Sequence, residues 1–363
     1  MDSDTGRAAA GDDRAIRFTG NWREYLPIAA TNALLIICTL GVYRFWATAR
    51  QRRYLWSRTQ VIDDTLEWTG TGKEMFIGFL IVIAILAPFF LFIQFLFPAL
   101  IARGKMDAAV GIVTLFYIAL IYLSGFAIFR ALRYRLSRTF WHGIRGGSND
   151  PGWNYGGEYL GRYALVGMTM FIMFPWAATR LWNSRWNAMS FGPLKFYAHL
   201  DATGLKWRWA LLYIAPIALI LVLFIGLAAI GASGDASIER VAGPLSVLLI
   251  AFLVTFYIVI PLATLNWYAK FFRNAAAATR LGDLEFEFDA TTLQWLWLFV
   301  SNLLLAIVTL GFGLTYWGYR NWAFMVRHTR IYGSVDLSDL TQSKTHAPRE
   351  AEGFADAFDI GAI

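Results

Sequence analysis

Blocks of apolar residues alternate with short polar stretches along this chain of 363 residues. Two of the blocks, residues 75–101 and 209–232, are longer than the ~20 residues that cross the hydrocarbon core of a bilayer. They lack the polar face that a helix on the surface of a soluble protein would present. Seven blocks predict apolar helical segments, at residues 25–46, 75–101, 110–129, 159–176, 209–232, 242–265 and 295–316.

This pattern predicts an all-α polytopic membrane protein with about seven apolar helical segments arranged in internal repeats. The second and third segments, and the fifth and sixth, are joined by short connections, so each pair is expected to be a helical hairpin. Basic amphipathic helices and short strand-like runs are expected at the membrane faces. The predicted divisions are a polar tail at 1–17, a first repeat at 18–74, a hairpin with a basic segment at 75–150, a second lone segment at 151–208, a second hairpin at 209–290, a third lone segment at 291–336 and a tail without fixed structure at 337–363.

An internal repeat organises the chain. Residues 32–41 and residues 302–311 match at seven of ten positions, at an offset of 270 residues. A weaker middle copy is predicted where Arg180-Leu-Trp182 resembles Arg44-Phe-Trp46 and Phe174-Pro175 takes the place of Leu-Gly. The chain therefore predicts five cycles of apolar helix, basic amphipathic helix and strand-like run. The strand-like runs are expected to pair into one or two small sheets.

Composition supports a membrane protein. Hydrophobic residues make up 57% of the chain and charged residues only 16%, against roughly a quarter in soluble proteins. The net charge of +7 comes from Lys and Arg beside the apolar segments, a placement typical of contact with anionic lipid headgroups and not of nucleic-acid binding. The single cysteine, Cys38, excludes a disulfide framework. No signal peptide is predicted at residues 1–20. Candidate lipid or partner contacts are Arg50, Arg52, Arg53, Arg133 and Arg135.

One stretch of the sequence carries a family resemblance. Phe18-Thr-Gly-Asn-Trp-Arg-Glu-Tyr25, then Thr39-Leu-Gly-Val-Tyr-Arg-Phe-Trp46 and Arg52-Arg-Tyr54, resembles the opening signature of the YjgN-like family. These are bacterial inner-membrane proteins classed as a domain of unknown function. The resemblance extends over residues 18–337 and implies a multi-pass protein of the bacterial inner membrane. It implies no activity and no catalytic residues.

Two topologies remain open for the three lone segments. If all seven segments cross, Lys and Arg are shared almost equally between the two faces, which conflicts with the positive-inside rule. If the lone segments dip in without crossing, nearly all basic stretches lie on one face. However, a segment that dips in and returns would carry charges back through hydrocarbon, which is energetically costly. In the first segment these charges are Arg44, Arg50, Arg52 and Arg53. We therefore predict seven spans, with the two hairpin-bearing halves facing opposite ways as an inverted repeat.

Polar residues inside the apolar segments are the candidate functional residues. They occupy matched positions seven residues apart in the two clearest copies, and this spacing places both members on one helix face. They either form hydrogen bonds between helices or line a polar stripe of a site shared between the repeats. These residues are Asn32, Thr39, Asn302 and Thr309.

The remaining chemistry is sparse. His142, His199 and His328 recur after apolar segments without metal-ligand spacing, and interfacial hydrogen bonding is favoured over a proton relay. No nucleophile or acid–base pair emerges, so neither enzyme activity nor a cofactor is predicted. The first functional prediction is a transporter or channel-like protein for a small solute. The alternative is a non-transporting membrane scaffold or envelope component that binds anionic lipid or a protein partner.

Overall fold

A computed structural model describes residues 7–9, 15–232, 238–336, 341–343 and 345 of the chain. Its helices come in pairs whose two arms run out from a sheet and return to it. The helices are α1 (Trp22–Cys38), α2 (Arg44–Ser57), α3 (Gly72–Leu91), α4 (Phe97–Ala102), α5 (Met106–Arg138), α6 (Trp153–Met168), α7 (Phe174–Asn187), α8 (Lys206–Ala232), α9 (Ile238–Val254), α10 (Ile260–Ala277), α11 (Thr292–Val308) and α12 (Leu314–His328). Short π-helical turns join α3 to α4 (Phe92–Leu96) and α9 to α10 (Thr255–Val259).

The strands that flank the helices form antiparallel sheets. They are β1 (Arg7–Ala9), β2 (Ile16–Phe18), β3 (Thr59–Val61), β4 (Asp64–Thr65), β5 (Glu67–Trp68), β6 (Thr139–Trp141), β7 (Ile144–Gly147), β8 (Ser190–Phe191), β9 (Leu194–Ala198), β10 (Thr279–Leu281), β11 (Leu284–Phe288), β12 (Thr329–Tyr332) and β13 (Ser334–Asp336). Eight of them pair in the order β12-β11-β10-β9-β8-β7-β6-β5, three in the order β2-β3-β4, and β1 pairs with β13. Only Leu66 separates β4 from β5, so the two larger sheets follow one another along the chain.

Five units repeat the same plan. A leading strand enters a helical hairpin, and a closing strand pairs antiparallel with the leading one, as in β2–β3, β5–β6, β7–β8, β9–β10 and β11–β12. The second and fourth units contain long hairpins, built from α3–α5 and α8–α10. The other three contain short hairpins, α1–α2, α6–α7 and α11–α12. Because every hairpin starts and ends at a strand, the strands form one platform from which all five hairpins project.

The last unit packs against the first. Three tryptophans of the short hairpins donate hydrogen bonds from the indole nitrogen to the threonine that opens a strand of another unit, namely Trp56 to Thr139 (2.9 Å), Trp182 to Thr279 (3.0 Å) and Trp322 to Thr59 (2.8 Å). The third of these bonds joins the fifth unit to the first. Trp56 and Trp322 also stack with ring centroids 4.1 Å apart. We refer to this contact between α1–α2 and α12 as the seam.

Tyrosines line the seam beside the tryptophans. The Tyr25 ring lies 5.0 Å from the ring of Tyr319 and 5.6 Å from that of Tyr316. Its hydroxyl donates to the carbonyl of Thr315 at 3.1 Å. Burial raises the pKa of Tyr25, and it raises the pKa of Tyr316 to about 12. Both phenols are therefore neutral at physiological pH, and Tyr25 acts as a hydrogen-bond donor that fastens α1 to α12.

Apolar side chains fill the space between the strands. Leu284, Ile331 and Val335 are buried, and they pack against apolar residues from strands at both ends of the chain. Those neighbours include Ile16, Val61, Ile62, Leu194, Leu281 and Phe286. Burial of these side chains stabilises the platform, since each removes apolar surface from water.

The structure corrects two parts of the predicted fold class. The protein is helical and polytopic in character, but it also contains the extended antiparallel sheets, so it is not all-α. Among the described residues, four helices are long and apolar enough to cross a membrane: Gly72–Ala102, Met106–Arg138, Lys206–Gly226 and Leu249–Ala277. The three lone segments instead supply helices of 17, 16 and 17 residues that turn back toward the platform. The predicted seven spans and inverted repeat are therefore not confirmed by the described residues.

The predicted tails lie partly outside the described residues. Within the N-terminal tail, β1 pairs with β13, and β2 begins at Ile16. Of residues 337–363, the structure describes 341–343 and 345. There the Gln342 amide donates to the carbonyl of Gly143 at 2.9 Å, and the side chain of Ser343 is buried. This short piece of the C-terminal segment lies against the β6–β7 turn.

Candidate functional site

A threonine closes each short hairpin at its tip. Its hydroxyl donates to the carbonyl four residues earlier and accepts the amide four residues later, so one side chain links the end of the first helix to the start of the second. The bonds run from Thr39 to Leu35 (2.7 Å) and from Tyr43 to Thr39 (2.9 Å), from Thr169 to Leu165 (2.8 Å) and from Met173 to Thr169 (3.3 Å), and from Thr309 to Leu305 (2.6 Å) and from Gly313 to Thr309 (2.6 Å). The predicted functional residues Thr39 and Thr309 thus form the turns.

The residues after each threonine adopt left-handed backbone conformations. The first of them has φ of 50° at Leu40, 47° at Met170 and 50° at Leu310. The second is a glycine in the outer copies, but it is Phe171 in the middle copy, with φ of 66°. The middle copy is therefore aligned by Thr169, and the predicted match of Phe174-Pro175 to Leu-Gly is wrong.

Neighbouring side chains hold the unusual turn of the middle copy. The Trp209 indole donates to the carbonyl of Phe171 at 2.8 Å, and the Tyr213 hydroxyl donates to that of Met170 at 2.6 Å. Both donors lie on α8, so the fourth unit supports the turn of the third. These bonds offset the steric cost that a side chain meets in the left-handed region.

Glycine substitution at the middle turn is expected to stabilise the protein. Phe171→Gly removes the left-handed strain and should raise the free energy of unfolding by about 1 kcal/mol, whereas Gly41→Ala should lower it by about 1–2 kcal/mol. Thermal unfolding of the purified protein in detergent measures both changes. Gly157→Ala, on α6 with open space around it, is the matched control and should raise stability slightly through helix propensity. Destabilisation by Phe171→Gly would show that the side chain is needed for packing.

Each hairpin tip is apolar and exposed, and an arginine follows at a fixed distance. The exposed fraction is 94% at Leu40, 78% at Met170 and 91% at Leu310. Eleven residues after the turn threonine, each hairpin carries an arginine on its second helix: Arg50, Arg180 and Arg320. Arg50 and Arg180 are exposed, while Arg320 donates to the Ser301 hydroxyl at 2.6 Å. Sequence comparison aligned Arg180 with Arg44, and the turns show that its equivalent is Arg50.

The two asparagines of the predicted polar stripe are buried on separate hairpins. The Asn32 amide nitrogen donates to the carbonyl of Ala47 on the returning helix at 3.4 Å. That of Asn302 donates to the side-chain oxygen of Asn321 at 2.9 Å. Among the described residues, neither side-chain oxygen has a hydrogen-bond partner. Each asparagine thus joins the two arms of its own hairpin.

A cleft of about 760 Å³ opens beside Asn32, between the first hairpin and the tip of the fifth. Its polar wall contains Asn32, Arg44, Thr48 and Gln51, and its opposite wall includes Leu310, Phe312 and Leu314. A second groove, of about 600 Å³, follows α11 and α12 near the platform. It combines the cations Arg320 and Arg327 with His328 and with exposed apolar residues such as Leu293 and Trp297.

The five arginines predicted as lipid or partner contacts divide into two groups. Arg50 and Arg53 are exposed on α2. Arg52 is buried, with its guanidinium carbon 5.0 Å from the ring centre of Trp68. Arg133 is buried and donates to the carbonyl of Asp150 at 3.0 Å, while Arg135 is half-buried. Arg52 and Arg133 thus serve the packing of the platform.

One side-chain hydrogen bond repeats along the chain and was not predicted from the sequence. A side chain near the end of a helix donates to the carbonyl 17 residues later, at the start of the next hairpin, in three units: Arg133 to Asp150 (3.0 Å), Asn183 to Leu200 (2.9 Å) and Arg273 to Ala290 (2.6 Å). The bonds join consecutive units. The constant spacing is the signal that could have revealed them, but the change from arginine to asparagine concealed it.

The histidines make local contacts at the platform. The Nε2 atom of His142 lies 2.8 Å from the carboxylate of Asp63, in the turn between β3 and β4. The Nδ1 atom of His328 lies 2.6 Å from Asp289, whose second oxygen accepts from Arg330 at 3.0 Å. His199 is exposed. Within the described ranges, no three His, Cys, Asp or Glu side chains come together as metal ligands.

The four candidate spans and the five hairpins that start and end at the strands are the features of a multi-pass membrane protein. The chain belongs to the family described as "Bacterial protein of unknown function (DUF898)", which matches residues 13–357. This agrees with the resemblance of its opening segment.

Curated relatives share parts of the sequence. The protein named inner membrane protein YjgN from Escherichia coli O157:H7 is 29% identical over 128 residues, which cover 35% of this chain and 29% of the relative. The protein of the same name from Salmonella typhimurium is 35% identical over 68 residues, or 19% of this chain and 17% of the relative. The chain thus matches less than a third of either relative's length. No solved structure matches. The predicted location, a multi-pass protein of the bacterial inner membrane, agrees with these relatives and with the apolar helices.

Proposed function

We propose that this protein is a membrane scaffold that gathers anionic phospholipid on the platform side of the bilayer. The observation that carries the proposal is the common design of the three short hairpins. Each turns back at a threonine, exposes an apolar tip and places an arginine at the same distance from the turn. Three copies of one arrangement on one side of a membrane protein favour a shared contact with lipid.

The spacing from tip to arginine suits one leaflet. In the first hairpin, α2 begins at Arg44, so Arg50 lies six residues, or about 9 Å, along the helix axis. Apolar faces of interfacial helices enter the headgroup and acyl boundary by about 5–10 Å. With Leu40 in the acyl region, Arg50 reaches the level of the phosphates, and its long side chain can extend further toward them.

Charge favours an anionic lipid. The turn of the first long hairpin contains Arg103 and Lys105, while most other basic residues lie near the platform, so the positive-inside rule places the platform in the cytoplasm. Anionic lipid of the cytoplasmic leaflet attracts each nearby basic residue by about 1 kcal/mol. The groove that joins Arg320 and Arg327 to exposed Leu293 and Trp297 offers both a cationic and an apolar contact to such a lipid.

Passage of a small solute is the second candidate. The cleft beside Asn32, with Arg44 and Gln51 on its wall, is the feature that favours it. The inverted repeat, which supported transport at the level of sequence, has no support from the described helices, because the lone segments turn back toward the platform. The scaffold therefore has the stronger support.

Removal of the three equivalent arginines is expected to weaken anionic lipid binding. Replacing Arg50, Arg180 and Arg320 together with Gln should lower the preference for anionic over zwitterionic lipid by roughly fivefold for each residue, from about 1 kcal/mol each. Lipid retained from mixed nanodiscs, counted by native mass spectrometry, measures this preference.

The control removes the same charge from the strands. Arg17, Arg280 and Arg330 are exposed on β2, β10 and β12, away from the hairpin tips. Their triple substitution by Gln should leave the lipid preference nearly unchanged. Equal losses in the two triple variants would contradict a specific role of the hairpins. Release of trapped solute from vesicles containing the unaltered protein would favour the second candidate.

A further inference from the structure

We infer that this protein prefers membrane that is convex on the platform side, because its five hairpins together form a wedge. All five hairpins leave the platform, but in the described part of the chain only the two long ones are long and apolar enough to cross a bilayer. The inference goes beyond the proposed scaffold, because it depends on the shape of the molecule and not on lipid charge. The partner that fits this shape is a curved lipid monolayer.

Ring packing shows how far the first hairpin reaches along its long neighbour. The ring of Phe45, at the start of α2, lies 5.5 Å from that of Phe76 and 5.0 Å from that of Phe79 on α3. Beyond Phe79 the long hairpin continues to Ala102, about 35 Å at a rise of about 1.5 Å per residue. Beyond Phe45 the short hairpin has only its turn, which reaches Leu40 within about 8 Å on the same scale. The first tip therefore ends about 27 Å short of the far end of the long hairpin.

The third hairpin ends at the same depth beside the other long hairpin. The hydroxyl of Tyr213, on α8, donates to the carbonyl of Met170 at the third tip. From Tyr213, α8 continues to Ala232, about 28 Å further from the platform. At the fifth tip, Leu310 lines the same cleft as Ile37, which lies near the end of α1. The three tips thus end at about one level, and the long hairpins continue for nearly the ~30 Å thickness of a hydrocarbon core.

This level is the boundary between headgroups and acyl chains. When the long hairpins span the bilayer, the three tips lie at this boundary on the platform side. Apolar surface is concentrated there, since the tip residues are accompanied by other exposed side chains, 59% exposed at Ile37, 81% at Met168 and 79% at Val308. Interfacial elements with an apolar face enter the bilayer by about 5–10 Å, and their binding is sensitive to curvature. The tips therefore displace lipid in one leaflet only.

The cross-section of the protein differs between the two leaflets. The helices of all five hairpins meet the headgroup region on the platform side, whereas only those of the two long hairpins reach the opposite leaflet. An insertion confined to one leaflet spreads its headgroups, and the bilayer accommodates it by becoming convex on that side. In a leaflet that is already convex, the headgroups are further apart, so the apolar tips remove more acyl and protein surface from water. The wedge is therefore most stable in such a membrane.

Membrane tubes drawn from giant vesicles test this preference. The vesicles consist of zwitterionic phosphatidylcholine and contain the full-length protein, with a fluorophore on the platform at Asp283→Cys in a Cys38→Ser background. An impermeant quencher added outside identifies the copies whose platform faces outward. Those copies should be enriched roughly twofold in the tube over the vesicle, because the tube is convex on their platform side, and the inward-facing copies should be depleted.

Two triple variants separate the tips from the rest of the exposed apolar surface. Leu40→Ala, Met170→Ala and Leu310→Ala together should remove at least half of the enrichment. The matched control replaces three residues of similar size on the long hairpins, beyond the level of the tips, and should keep the enrichment. These residues are 66–68% exposed, and the changes are Phe95→Ala, Leu115→Ala and Phe224→Ala.

The outcomes also separate this inference from the scaffold. Equal densities of the two orientations in the tube, or enrichment of the inward-facing copies, would overturn the wedge, and this comparison needs no variant that could fail to fold. An equal loss in both alanine variants would overturn the role of the tips. The variant without Arg50, Arg180 and Arg320 should keep the enrichment, and its loss would mean that charge sets the preference. If tubes show no enrichment while nanodiscs still retain anionic lipid, the wedge fails and the scaffold stands.

Discussion

Cysteines introduced into four of the five units are expected to label from the same side of the membrane. All the segments between hairpins lie on the platform, so an even number of crossings separates any two of them. In intact cells an impermeant thiol reagent should leave all four unlabelled, since the positive-inside rule favours a cytoplasmic platform. The reagent should label them after permeabilisation. The exposed positions, each next to a different hairpin, are Glu67, Asn149, Thr203 and Asp283.

The turn of the first long hairpin provides the opposite control. A cysteine at exposed Lys105 should react in intact cells, because the helices that flank it are long and apolar enough to cross the membrane. The native Cys38 is exposed and must first be replaced by Ser. Labelling of Thr203→Cys and Asp283→Cys in intact cells, without the other two, would restore the seven-span topology. Labelling in intact cells is all-or-none at each position, so this is the largest effect expected of the protein.

Loss of the Tyr25 ring is expected to open the seam. The side chain is fully buried and packs against Tyr54, Tyr316 and Tyr319, with ring centroids 5.0–5.6 Å away. Truncation of a buried aromatic side chain to alanine costs about 3–5 kcal/mol, whereas Tyr25→Phe removes only one hydrogen bond and should cost about 1 kcal/mol. Chemical denaturation in detergent measures both costs.

Hydrogen exchange locates the effect. Tyr25→Ala should accelerate exchange in α12, which packs on Tyr25, and leave α7 unaffected. Tyr155 occupies the corresponding place on α6, is 4% exposed and packs against Phe129, so Tyr155→Ala should cost similar stability while α12 stays protected. Faster exchange in α12 for both variants would mean that the seam responds to any loss of stability, which contradicts a local role for Tyr25.

The repeating plan could be predicted from the sequence because it depends on hydropathy patterns, which individual substitutions do not remove. The two long hairpins follow from paired apolar runs with short connections, and the strand-like runs do pair into sheets. Hydropathy did not reveal the short hairpins, since a run such as 25–46 contains most of α1, the turn and the start of α2 in one apolar block. The turn itself depends on one threonine hydroxyl and two left-handed residues, which do not lower the hydropathy of the block.

The sequence predicted only part of the candidate site. Asn32 and Asn302 were predicted as functional residues because they are amides in apolar segments, and both are buried. That only Asn32 lines a large cleft depends on the packing of the fifth hairpin against the first, which lies almost a whole chain length away. Arg180 was matched with Arg44 because tryptophans follow both, but the position relative to Thr169 shows that Arg50 is its equivalent. Register within a repeat becomes certain only when the backbone turn is known.

The seam also fixes the order in which the molecule can be assembled. The hydrogen bond from Tyr25 to Thr315 joins residues 290 positions apart, and that from Tyr319 to Gly20 spans 299 positions. A growing chain orders its N-terminal parts first, so the first hairpin must wait in the membrane until nearly all of the chain has been synthesised. Closure over so long a separation is entropically costly and is normally slow. During that interval the face of Tyr25 that later meets α12 is uncovered.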